Sequence, residues 1–389
     1  MKVSQRADLG DFLRYRMNTE KRYYNIEFLR FAFAICIVYF HLLHSFMMDY
    51  TGNADLYIRL AEQSKYAKYI VECFFIISGY FLYHTIQRHP EMTTQGFIMR
   101  RIIRLWPVLA CSIMISAVFF GKSIYASFVD LLFLQSSGLA TDWQGLNWYV
   151  SAFFVVEIFY FVLYKCFRNS AKMKLLICML IYFGYEININ AMDGGFGRKM
   201  FHGIINLGMA RAVAGIGLGY LFAIEWANFT ATWKKQKQVQ ERTSGIEVWL
   251  IRVLEILTLS MLLIDFFCSS KAYDNQFIVI ILFPVFFACL LTRRGVFSEL
   301  TDHKMIGLPG RYAYSIYVMQ EAVFAVLKRT LWKNTVFLHD YPVPALTVSI
   351  LVTIMAGIVT YHLVERPATK VLKKRFTGLY IKNPVISEA

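Results

Sequence analysis

No long polar stretch interrupts this chain of 389 residues, which leaves no room for a separate soluble domain. Charged residues make up 17% and hydrophobic residues 57%, and the mean hydropathy is +0.45, too apolar for a soluble protein of this length. Acidic residues are few beside basic ones, 26 against 41, which gives a net charge of +15. The cations are spread over the segments between apolar runs. This argues against a nucleic-acid partner and matches the charge bias that orients membrane helices. The seven cysteines (Cys36, Cys73, Cys111, Cys166, Cys178, Cys268 and Cys289) form no CxxC pair and no zinc spacing, so no metal is expected. The first two dozen residues lack a short apolar core with a small-residue cleavage site, which excludes a cleavable signal peptide. Weak alternation is missing as well, which excludes a transmembrane β-barrel.

What is present is a series of continuous apolar runs. They predict an all-α polytopic membrane protein with about ten transmembrane helices. The expected spans are Ile26–Phe46, Tyr69–Thr85, Leu105–Gly121, Trp148–Phe167, Leu175–Ile189, Ile204–Trp226, Val248–Phe267, Phe277–Leu291, Tyr312–Leu331 and Pro344–Leu363. Phe128–Leu134 is apolar but too short to span. Lys and Arg alternate in density between successive connections. With both termini cytoplasmic, the inner segments hold Arg14, Arg16, Lys21 and Arg22, then Arg88, Arg100 and Arg101, and later Lys370, Lys373, Lys374 and Arg375. The opposite loops hold Arg59, Lys65, Lys68, Lys122, Arg198, Lys199 and Lys271. Lys328, Arg329 and Lys333 are exceptions. The chain divides into a cytoplasmic N-terminal segment (1–24), a membrane domain (25–367) and a basic cytoplasmic tail (368–389).

The first apolar run, NIEFLRFAFAICIVYFHLLHSF, carries the strongest chemical signal. Arg30 and His41, with ten residues between them, share one helix face about three turns and roughly 16 Å apart. Glu27 and His44 lie near that face. Ionisable groups inside a membrane are costly and usually functional, and imidazole can take and return a proton near neutral pH. On the second run, VECFFIISGYFL, Glu72 needs a partner, for which Arg30 is a candidate; Ser78 and Gly79 suit close helix packing. MRRIIRLWP places Arg100 or Arg101 together with Arg104 at a helix entrance, where guanidinium groups either bind phosphate or simply anchor the helix. Pro107 suits a first helical turn. Trp148 and Tyr149 read as an interfacial aromatic pair, with Glu157 deeper. Arg211 precedes a glycine-rich stretch. Arg252 and Glu255 are spaced to neutralise each other.

Taken in order, these pieces resemble the membrane acyltransferase-3 family of surface-glycan O-acyltransferases. The matching stretches are Asn25-Ile-Glu-Phe-Leu-Arg30 followed by His41; Glu72-Cys-Phe-Phe-Ile-Ile-Ser-Gly79; Arg100-Arg-Ile-Ile-Arg104-Leu-Trp-Pro107; Asn147-Trp-Tyr149; Tyr314-Ser-Ile-Tyr317; and Glu365-Arg-Pro367. The resemblance implies a cytoplasmic acyl-CoA donor, usually acetyl-CoA, with no permanently bound cofactor. The acceptor is a hydroxyl of a glycan or lipid-linked sugar, and the home a bacterial cytoplasmic membrane. His41 matches the family's essential histidine and Arg30 its partner arginine. Arg101 and Arg104 match an arginine pair that would meet the donor's phosphates. Glu72, Ser78, Trp148 and Tyr149 are expected around the substrate, with Glu27, Arg211, Tyr317 and Glu365 in support. Gln320 stands where many relatives have His, which counts against a catalytic role at that position. No appended hydrolase-like domain is seen, so the chain is expected to act alone or with a separate extracytoplasmic transferase. The competing reading is a transporter or export component for a glycan or lipid-linked sugar. The lack of a visible internal repeat weakens it.

Overall fold

A computed structural model describes residues 22–47, 55–121, 123–137, 145–191, 200–201, 205–237, 245–268 and 278–376. The predicted N-terminal segment up to Lys21 and the tail after Phe376 lie outside the described residues, as do Lys122, Arg198, Lys199 and Lys271.

Each of the ten predicted runs coincides with a helix. In chain order the elements are α1 (Tyr24–His41), α2 (Asp55–Gln63), α3 (Ile70–Arg88), α4 (Thr94–Phe120), α5 (Ile124–Leu131), α6 (Trp148–Phe167), α7 (Ala171–Ala191), α8 (Leu207–Lys237), α9 (Gly245–Phe267), α10 (Ile278–Thr292), α11 (Val296–Thr301), α12 (Lys304–Gly307), α13 (Ala313–Arg329), α14 (Thr335–Asp340), α15 (Pro342–Thr360) and α16 (Arg366–Phe376). The β-structure among the described residues is a two-residue hairpin pairing Met200 with Asn206 and Phe201 with Ile205.

Six helices are long and apolar enough to cross a membrane: α1, α3, α4, α6, α8 and the continuous run Pro342–Phe376. The protein is therefore a multi-pass membrane protein. The other four predicted runs form helices with weaker claims to span. Helix α7 ends in Glu186, Asn188 and Asn190, and α9 carries Arg252, Glu255 and Asp265. Helix α10 has only 15 residues and α13 only 17. The short apolar run around Phe128 falls largely in α5, whose 8 residues are too few to span.

The bundle is knit by small residues and by apolar faces. Gly79 on α3 and Gly219 on α8 sit against each other's helix backbones: a Cβ at Gly219 would lie 1.9 Å from the Ile76 carbonyl oxygen. The expectation that Gly79 serves packing is met, because two helices can approach this closely only where the side chain is absent. Exposed apolar side chains such as Val118, Leu175, Trp249, Leu257 and Met355 cover outer faces, as lipid contact requires.

Helices α1 and α4 each carry one local irregularity. Helix α1 is regular up to His41 and then widens into a π-helical turn, Leu42–Met47. Helix α4 starts eleven residues before its expected first residue. Thr93 caps it by accepting a bond from the Gly96 amide at 3.0 Å, so Pro107 lies mid-helix rather than in the first turn. A proline there leaves the carbonyl four residues earlier without its helical donor. That carbonyl belongs to Ile103, and the Thr369 hydroxyl from α16 donates to it at 3.4 Å.

Candidate active site

The ends of α1, α3, α4, α6 and α13 enclose a cavity of about 280 Å³. Five of the residues expected from sequence meet in its wall: Arg30, Ser78, Arg101, Arg104 and Tyr149. Glu27 and Tyr317, expected in support, line it too. The helices bring them together because each presents polar residues spaced one or two turns apart on the face that lines the cavity. Phe74, Ile77, Phe81, Val150 and Phe153 supply an apolar lining beside them.

The three arginines are not equivalent. Arg30 faces Glu27 at 3.5 Å, and Glu27 also meets Arg22 at 3.2 Å. Arg101 pairs with Glu157 at 2.8 Å, with side chains 12% and 2% exposed. The two are close in charge but not aligned as a hydrogen bond, which leaves the Arg101 Nε and Glu157 Oε2 atoms without one. The Arg101 guanidinium is also held over the rings of Phe97 and Phe153, at 4.9 and 5.9 Å. Arg104 is exposed and has no ion pair among the described residues. With Glu27 and Glu157 in the wall against three arginines, the lining keeps one positive charge in excess. Just outside it, Glu365 accepts a bond of 2.5 Å from the Ser315 hydroxyl. Tyr314, also in the wall, donates to the Leu105 carbonyl at 2.6 Å and so ties α13 to the arginine helix.

His41 does not line this cavity. It is buried one level further along the bundle, and its Nδ1 lies 3.0 Å from Oε1 of Gln320 on α13. Tyr317 is the cavity-lining residue one turn before Gln320, so the residue that meets the imidazole lies about 4.5 Å of helical rise beyond Tyr317 on α13. Tyr317 donates to the Leu146 carbonyl at 2.8 Å, and the Leu146 amide donates to Glu321 at 2.9 Å. These bonds fix the stretch carrying Asn147-Trp-Tyr149 against α13.

Other sequence expectations are corrected. Glu72 does not meet Arg30. It pairs with Arg211 on α8 at 2.6 Å and accepts from the Tyr185 hydroxyl at 3.4 Å, while Trp148 covers the guanidinium at 5.5 Å. Glu72, Arg211 and Trp148 thus form a buried cluster apart from the cavity wall, because α3 and α6 turn Glu72 and Trp148 toward Arg211 on α8. Arg252 and Glu255 do not neutralise each other: Arg252 bonds Glu299 at 2.7 and 2.9 Å, and Glu255 accepts from the Phe297 amide and the Ser298 hydroxyl. Trp148 is buried against Arg211, and Tyr149 faces the cavity. Glu157, Tyr314 and Phe153 were not among the expected site residues. Glu157 carried a signal, being an acid deep in an apolar helix.

A family model described as an acyltransferase domain matches residues 23–363, nearly the whole chain. No curated protein and no solved structure matches it.

Proposed function

The chain belongs to the acyltransferase-3 family, and from that premise we propose that it is an O-acyltransferase. It moves an acetyl or similar acyl group from cytoplasmic acyl-CoA to a hydroxyl of a surface polysaccharide or its lipid-linked precursor. The observation that carries this reading is the cavity that gathers Arg30, Arg101 and Arg104 against an apolar and aromatic lining. A CoA thioester has the matching polarity. Its phosphates need guanidinium partners at the mouth, and its slender arm needs a narrow, mostly apolar passage. In this reading ten helices cross the membrane with both termini cytoplasmic, which puts the arginine end of the cavity on the donor's side.

His41 is then the base. It takes the proton of the acceptor hydroxyl while that oxygen attacks the thioester carbonyl carbon. The carbon–sulfur bond breaks, and the leaving thiolate recovers the proton from the imidazolium, giving an ester and free CoA. An acetyl-histidine route uses the same residues in two steps. Arg30 holds the donor or faces the charge that develops on the thioester oxygen. Ser78, Tyr149 and Tyr317 shape the passage between the arginines and the imidazole. Glu72 and Arg211 support the helix ends from outside it.

The test is acetyl-CoA turnover by the purified full-length protein, with water or an added glycan as acceptor, beside His41→Ala. Loss of turnover with donor binding retained is the expected result. Wild-type turnover in a folded His41→Ala protein overturns the mechanism. A folded wild-type protein that neither binds nor consumes the donor overturns the assignment.

A further inference from the structure

We infer that Gln320 is a positioning residue for His41, holding the imidazole with its proton on Nδ1 so that Nε2 is the basic nitrogen. The inference rests on the reading of His41 as the base, and it concerns a residue that the sequence pattern set aside as noncatalytic.

Gln320 is fully buried in the middle of α13, in the mostly apolar stretch AYSIYVMQEAVF, where its neighbour Glu321 is held by the Leu146 amide. A methionine or leucine would fill the same space without carrying polar atoms into the bundle. The amide is there at a cost: its Nε2 makes no hydrogen bond among the described residues, and a buried donor left unpaired costs about 1–3 kcal/mol. The hydrogen bond its side chain does make is the one between Oε1 and His41 Nδ1, 3.0 Å long, and that contact is the reason for the side chain to be polar. With the amide oxygen turned to the ring, as placed here, the ring donates from Nδ1, and a neutral ring with its proton there keeps its lone pair on Nε2. A local choice that costs stability and serves one partner is what a functional position looks like.

Among the described residues, these titratable groups on the elements packed against α1 have partners of their own. On α13 they are Tyr317 and Glu321, both engaged with the Leu146 backbone. On α3, Glu72 is committed to Arg211. His44 on the π-helical turn bonds the Phe40 carbonyl, and Lys68 of the short turn before α3 lies on its side. Helix α15, also packed on α1, has no titratable residue.

The experiment uses the full-length protein in lipid nanodiscs with 15N-labelled histidine, His41 being assigned by difference from His41→Ala. Nitrogen shifts report which ring nitrogen carries the proton, whatever the activity. Wild type is expected to show the Nδ1–H form of His41, Gln320→Met a mixture of both forms, and Gln320→Glu an imidazolium that persists at least about one pH unit higher. Acetyl-CoA turnover on the same samples is expected to fall at least tenfold in kcat for Gln320→Met at an unchanged donor KM, with Gln320→His retaining most of it. An Nε2–H ring in wild type, or a ring whose form and titration are the same in wild type, Gln320→Met and Gln320→Glu, overturns the inference. Full turnover in His41→Ala would instead overturn the reading of His41 as the base and leave the tautomer result standing.

Discussion

Neutralising Glu157 tests the electrostatics of the cavity more directly than removing an arginine. Arg101 meets Glu157 at 2.8 Å in the cavity wall, and that carboxylate cancels one of the three guanidinium charges. Glu157→Gln keeps the shape and removes the cancellation. The cation stays in place, because the rings of Phe97 and Phe153 still hold it. At an effective dielectric near 20, an added unit charge about 5 Å from a phosphate contributes about 3 kcal/mol. Side-chain motion and salt reduce this, so a tenfold fall in Kd for CoA, about 1.4 kcal/mol, is the floor. The ligand-free protein should lose stability meanwhile, since breaking a buried pair from one side costs about 3–5 kcal/mol. Calorimetric titration of CoA into the purified protein, with melting curves in its presence and absence, measures both. Expected are tighter binding, a larger rise in Tm on adding CoA, and a gain that shrinks toward 1 M salt, where the screening length is about 3 Å. CoA affinity that is unchanged or weaker in a folded Glu157→Gln protein would refute the idea that the arginine end of the cavity meets the donor's phosphates.

Three further outcomes are expected from the geometry. Arg104→Gln, which removes an exposed guanidinium with no ion pair among the described residues, should raise the donor KM at least tenfold with little change in Tm, read by initial rates and melting curves. Arg211→Met should destabilise the protein by about 3–5 kcal/mol by stranding Glu72, and adding Glu72→Leu should recover much of that loss, read by denaturation in detergent. Gly219→Ala should cost about 1–3 kcal/mol, because its Cβ would meet the Ile76 carbonyl at 1.9 Å; a melting curve unchanged from wild type would contradict the close helix contact.

The helices were legible because apolar runs of this length admit few other structures. Arg30 was legible because it is a charge inside a membrane helix; Arg101 and Arg104, which by position could as well anchor a helix end, were tied to the same site only by the family resemblance. What the sequence hid was pairing between distant segments. Glu72 and Arg211 stand 139 positions apart, and no local spacing announces them. Arg101 and Glu157 are hidden for the same reason. Trp148 and Tyr149 look like one unit in sequence, although neighbouring residues on a helix point about 100° apart. Tyr149 turns into the cavity while Trp148 turns toward Arg211. The start of α4 is hidden because the apolar pattern begins at Leu105, whereas the helix begins at the Thr93 cap.

The cavity is also a statement about biosynthesis. Its arginines belong to the first third of the chain, but the bonds that set their helices reach forward. Asn25 donates to Leu290, the Tyr24 amide to Asp302, Tyr314 to Leu105 and Thr369 to Ile103, across 265, 278, 209 and 266 positions. During translation the arginine helices emerge long before the segments that these bonds tie to them, so the contacts that set the cavity wall cannot be complete until the C-terminal helices are made. A nascent chain that stops short of α16 still has Tyr314 to brace the arginine helix at Leu105 but leaves the Ile103 carbonyl without the Thr369 hydroxyl.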